Sequence, residues 1–123
     1  DAFKKSLSKK KVIFLIPSQL DNLDINIDFF INHESFSEMN IETVNDYLSK
    51  IKMRMTEGSH IFLVNRFSRL QSHSAKSFDY TNFLDYELDG FYKICFEVEK
   101  FRSFLPVQKD FPNVIFIGQK DSS

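Results

Sequence analysis

The chain has 123 residues, enough for one domain around one hydrophobic core. Its hydrophobic content of 42% is that of a globular protein, and a net charge of -1 supplies no field for nucleic acid or an acidic membrane. No apolar run approaches the ~20 residues of a membrane-spanning helix and no signal-peptide pattern is present. The single cysteine excludes an internal disulfide and suits a reducing compartment, the cytoplasm.

Taken in order, residues 1–10 read as a helix end or tail, with Lys4, Lys5 and Lys9 to Lys11 as a solvated basic face. The chain opens at Asp1 without an initiating methionine, which reads as a fragment or a processed product. Val12 to Ile16 is the first predicted strand, stopped by Pro17, and Ser18 to Asn26 is a polar loop. Ile27 to Ile31 is the second strand. It runs directly into Asn32, His33, Glu34 and Ser35, so polar groups crowd at its carboxyl end, where open α/β sheets bind ligands.

Asn40 is an N-cap, and the helix it opens is predicted to reach Glu57. Ile41, Val44, Tyr47, Leu48, Ile51 and Met55 form one apolar stripe at spacings of three and four. Gly58 is expected at the position just past the helix end. His60 to Asn65 is the third strand, Arg66 to Thr81 a loop, and Asn82 to Leu88 is ambiguous. Phe91 to Glu99 alternates, with Tyr92, Ile94, Phe96 and Val98 on one face and Lys93, Cys95, Glu97 and Glu99 on the other; this marks a half-exposed edge strand. Val114 to Ile117 is wholly apolar and is expected inside the sheet, antiparallel to its predecessor and between it and the third strand.

These segments together resemble the second half of a class I S-adenosylmethionine (SAM)-dependent methyltransferase, over about residues 11 to 120. The segments that carry the resemblance are KVIFLIP, IDFFINHESFSEMN, ETVNDYLSKIKMRM, GSHIFLVNR, GFYKICFEVE and NVIFIGQK. Within that superfamily, INHESFSEM and LVNR are similar to bacterial sugar O-methyltransferases. The implied fold is α/β: a partial Rossmann-like sheet holding the equivalents of the third to seventh strands, mostly parallel with an antiparallel last strand. The implied cofactor is SAM and the implied partner a small hydroxylated acceptor such as a sugar, with no nucleic acid and no membrane.

The resemblance assigns roles to named positions. Methyl transfer to a hydroxyl needs alignment and a proton acceptor. His33 and Glu34 are the candidate catalytic residues, imidazole being the usual side-chain base near neutrality. Ser18 and Gln19 match the position that faces the adenine, with Asn32 beside them as cofactor-binding. Glu38, Asn65 and Arg66 are the candidate substrate ligands. Each has a plainer alternative: turn chemistry for Ser18 and Gln19, strand-end capping for His33, a surface cation for Arg66. Metal binding is not expected, because the His33-Glu34 start of an H-E-x-x-H pattern meets Ser37 where the second histidine belongs. Cys95 reads as a structural thiol.

The departure from the family pattern is the absence of a Gly-rich cofactor loop. The chain has three glycines, Gly58, Gly90 and Gly118, and no G-x-G. Alone it is expected to be inactive and to bind SAM weakly. A rival reading makes it a non-catalytic α/β interaction module derived from a methyltransferase. The same truncation leaves the Ile27 to Ile31 strand with an unpaired edge, and the chain is expected either to fold its Val12 to Ile16 strand back onto that edge or to self-associate through it.

Overall fold

A computed structural model describes residues 17–22, 24–70, 80–98 and 112–122. The predicted strand Val12 to Ile16 and most of the Phe101 to Pro112 stretch, expected as a connector, lie outside the described residues. Four strands form the main sheet: β1 (Ile27–His33), β2 (Met55–Arg66), β5 (Phe91–Val98) and β6 (Asn113–Lys120), in the order β1-β2-β6-β5. A helix, α1 (Ile41–Lys52), joins β1 to β2, and a two-stranded hairpin of β3 (Ser68–Leu70) and β4 (Tyr80–Asn82) follows β2. The hairpin falls within the stretch expected to be loop, where two three-residue strands leave too short a pattern to read.

β1 and β2 are parallel, while β6 runs antiparallel to both β2 and β5. The insertion of the all-apolar last strand between β2 and the alternating β5 is as the residue pattern indicated. The expectation of a mostly parallel sheet holds for strand direction, since β1, β2 and β5 point one way. It does not hold for the ladders, of which only β1/β2 is parallel among the described residues. The inserted strand makes both of its own pairings antiparallel.

The helix is shorter than its apolar stripe. Asn40 caps it as expected, its Oδ1 accepting from the Thr43 N–H at 2.8 Å. The helix ends at Lys52 rather than Glu57, because Met53 and Arg54 turn the chain and Met55 already pairs with Ile27. The Ile27 N–H donates to the Arg54 carbonyl at 2.8 Å, so the strand ladder takes the chain from the helix. Met55 fits the helical stripe and the strand equally well, and its burial comes from the strand. Gly58 lies within β2 rather than beyond a helix. Ile27 pairs with Met55 and Phe29 with His60, so residues 56–59 bulge out, and Gly58 takes the φ of +82° that this requires.

One sheet face is covered. Val44, Leu48 and Ile51 of α1 are buried in one cluster with Ile61, Leu63, Val114 and Phe116 from β2 and β6. Gly118 is required by this packing, since a Cβ there would lie 2.8 Å from the Phe116 ring and 3.1 Å from Ile61. Phe36, Phe83 and Tyr86 extend the core, with Phe83 and Tyr86 ring centroids 4.7 Å apart. β5 is an edge strand, but its alternation is broken. The register shifts between Lys93 and Cys95, so Phe96 and Val98 stay on the covered face opposite Phe116 and Val114. Tyr92 moves to the other face beside Gln119 and is 70% exposed. A bulge reverses the facing of every later residue, which no alternation pattern records.

The Tyr86 hydroxyl is buried with no hydrogen-bond partner among the described residues, and burial pushes its phenol above the usual value. Tyr86→Phe is therefore expected to leave stability unchanged or raise it by about 1 kcal/mol in denaturant melts. Stability is expected to fall as pH rises above ~10, because the unfolded chain gives up that proton first while burial disfavours the phenolate in the folded chain. The variant is expected to lose this alkaline dependence. A destabilisation above ~1 kcal/mol would show that the hydroxyl is paired.

Candidate functional site

The carboxyl ends of β1 and β2 lie beside the amino end of β6, since Arg66 pairs with Asn113 and His33 with Val64. The turn after β1 is built from its own polar side chains. Asn32 Oδ1 accepts from the Phe36 N–H at 3.3 Å and from Asn65 Nδ2 at 3.1 Å. Asn65 Oδ1 in turn accepts from the Ser37 N–H at 3.2 Å. Asn32 Nδ2 donates to Ser35 Oγ, and Ser37 Oγ donates to the Glu34 carbonyl at 2.6 Å. Asn65 and Ser37 are fully buried, so this is a closed polar network in which interior donors and acceptors meet their partners.

The network holds Glu34 in an unusual place. Its φ is +60°, the left-handed region that side chains other than glycine enter at a cost. Its N–H donates to the Val64 carbonyl at 2.6 Å, continuing the β1/β2 ladder one residue past the strand. Its carboxylate points across the strand ends, where Asn113 Nδ2 donates to Oε1 at 3.4 Å. Glu34, Arg66 and Asn113 are all half-buried, and His33 beside them is exposed. The Glu34 carboxylate and the Asn113 amide thus meet at one strand-end rim, to which the backbone pairing also brings residues His33 and Arg66.

The structure brings some of the sequence-predicted residues together and separates others. His33, Glu34 and Arg66 share the rim. Asn32 and Asn65 lie beneath it, with their amides committed to the turn, so both act on its shape. Glu38 ends the short 3-10 helix Phe36–Glu38 and is exposed. Ser18 and Gln19 sit elsewhere. Their 3-10 helix, Pro17–Asn22, is pinned to the carboxyl end of α1 by the Lys50–Asp21 ion pair at 3.0 Å and by Arg54 Nη2 donating to the Asp21 carbonyl at 3.1 Å. Since α1 runs back from the rim to the start of β2, that anchor is at the opposite end of the parallel strands. The structure therefore does not join Ser18 and Gln19 to the His33–Glu34 turn; ten residues of loop left room for either end.

Asn113 is the rim residue that the sequence reading missed. The signal was available, because an antiparallel last strand delivers its first residue to the carboxyl end of its neighbour. Among the described residues no group of three or more His, Cys, Asp or Glu side chains comes together as a metal site, and Cys95 is a free thiol. No helix among them is long and apolar enough to cross a membrane.

The strand order, with an antiparallel strand inserted next to the edge, is consistent with part of a methyltransferase-like α/β fold. One similar solved structure is TehB from Haemophilus influenzae, a SAM-dependent methyltransferase. The match has a TM-score of 0.61 at 15% identity and covers 98% of this chain and 44% of TehB. The chain thus spans less than half the length of that relative, and at this identity the likeness describes the fold. No protein-family model and no curated protein matches the sequence.

Proposed function

We propose that the chain is part of a SAM-dependent O-methyltransferase that methylates a hydroxyl of a small acceptor, a sugar by the resemblance of its INHESFSEM and LVNR segments. The observation that carries this reading is Glu34: a half-buried carboxylate held by a buried network, in a costly backbone conformation, at the carboxyl end of a parallel strand pair. Among the described residues, that carboxylate meets the turn's surroundings through the long contact from Asn113.

The residues present suit the reacting end of the cofactor. A carboxylate and an imidazole on the rim complement a positive sulfonium, and Glu34 and His33 would hold that end. They do not supply a backbone cradle for its charged tail. The glycines with positive φ, Gly58 and Gly90, lie by Gln119 and Lys120 at the far end of the sheet. When bound, SAM supplies a methyl group on a cationic sulfur, which leaves as a neutral thioether once the carbon–sulfur bond breaks. Glu34 accepts the hydroxyl proton as the oxygen–carbon bond forms. Arg66 and Asn113 orient the acceptor's other hydroxyls. A free thiol at Cys95 suits a reducing cytoplasm.

The test is transfer of label from methyl-labelled SAM, at millimolar concentration, to a panel of monosaccharides and polyols. Calorimetric titration of the chain with SAM accompanies it. Weak cofactor heat is expected from the chain alone, and labelled O-methyl product from the complete enzyme of which it is proposed to be part. Absence of both would favour the interaction-module reading, in which the rim is a structural turn.

A further inference from the structure

We propose that Asn65 is a positioning residue: its buried side-chain amide, on β2, sets the direction of the Glu34 carboxylate after β1. The role of that carboxylate rests on the methyltransferase reading, while the control of its direction rests on the packing of the turn. The residue pattern offers Asn65 as a substrate ligand, but its side chain is fully buried and both ends of its amide are engaged within the fold.

The amide orientations follow from their partners. A backbone N–H can only donate, so Asn65 Oδ1 faces the Ser37 N–H, at 3.2 Å, and Asn65 Nδ2 donates to Asn32 Oδ1, at 3.1 Å. Position 65 therefore needs a donor and an acceptor on one short planar group. Leucine would supply neither, and an aspartate carboxylate would set an acceptor against Asn32 Oδ1.

Strand order gives the network its direction. β2 is paired on both sides, with His33 opposite Val64 in β1 and Val114 opposite Asn65 in β6. Asn65 is thus the rigid end, and the turn after β1 conforms to it. The Ser37 N–H held by Asn65 brings the Ser37 hydroxyl onto the Glu34 carbonyl, at 2.6 Å, while the ladder holds the Glu34 N–H on the Val64 carbonyl. Both peptide groups that flank the Glu34 Cα are fixed in this way, and its φ is +60°. Without Asn65 the constraint through Ser37 relaxes, Glu34 returns to negative φ, and its side chain swings away from the rim.

The test compares Glu34→Gly in the unsubstituted chain and in Asn65→Ala, by denaturant midpoint. Glycine relieves left-handed strain only where that strain exists. The effect of Glu34→Gly is therefore expected to be more favourable in the parent than in Asn65→Ala. Equal effects overturn the proposal, because Glu34 then keeps its conformation without Asn65. Hydrogen exchange of the Asn65 side-chain amide in the unsubstituted chain needs no variant to fold. Protection is expected, and exchange as fast as that of an exposed asparagine overturns the proposal. In the complete enzyme of which the chain is proposed to be part, Asn65→Ala is expected to lower kcat about 10²-fold with the acceptor KM unchanged, as for a misplaced reacting group. A raised KM with kcat kept would make Asn65 an acceptor ligand and overturn the proposal. A complete parent protein that transfers no methyl group overturns the methyltransferase reading instead, and the comparison of the two backgrounds still decides whether Asn65 sets the conformation of Glu34.

Discussion

In the complete enzyme of which the chain is proposed to be part, Glu34→Gln is expected to slow methyl transfer by about 10²–10⁴-fold at saturating acceptor, the range for loss of a general base. The amide keeps the shape of the side chain and can still accept from Asn113, but it cannot take a proton. The turn itself is held by groups the substitution leaves alone: the Glu34 backbone N–H and carbonyl, Asn32, Asn65 and Ser37. Glu34→Gly separates strain from chemistry. Glycine enters φ +60° freely, so this variant is expected to be as stable as the parent or more so, by up to ~1 kcal/mol, while losing activity. His33 is the competing base. Wild-type turnover in Glu34→Gln together with a collapse in His33→Ala would move the role to His33.

Leu48→Ala is expected to cost about 2–5 kcal/mol in denaturant melts. Leu48 is fully buried at the centre of the α1 stripe, one turn from Val44 and nearly one from Ile51, which are buried with it. Truncation removes apolar contact and leaves a cavity that helix and sheet together cannot collapse. For a domain of this size that loss is a large part of total stability. An exposed residue of the same helix, Glu42, is the control, and Glu42→Ala is expected within about 0.5 kcal/mol of the parent. A Leu48→Ala change under about half a kcal/mol would place the helix in the wrong phase.

Most of the frame was legible because it rests on local rules. Continuous β-branched runs marked β2 and β6, Asn40 marked the start of α1, and the contrast between an alternating and an all-apolar strand located β6 inside the sheet. The misreadings share one cause. Met55 satisfies a helical stripe and a strand pairing alike, and only the bond from Ile27 to the Arg54 carbonyl decides between them. The bulges at 56–59 and after Lys93 insert residues that periodicity cannot anticipate, since their cause is the partner strand.

The site divides in the same way. By itself the sequence determined that polar groups crowd the end of β1, because Asn32, His33 and Glu34 follow one another there and a strand ending must expose or pair them. Only the tertiary structure decided what each does. Asn32 meets Asn65 across 33 positions and Glu34 meets Asn113 across 79, contacts created by sheet order rather than by any local preference. It likewise decided that Ser18 and Gln19 lie at the other end, through an ion pair between Asp21 and Lys50 that is 29 positions apart. Local residue chemistry sets which groups need partners. The long-range ladder, whose register depends on bulges and on strand insertion, sets which partners arrive.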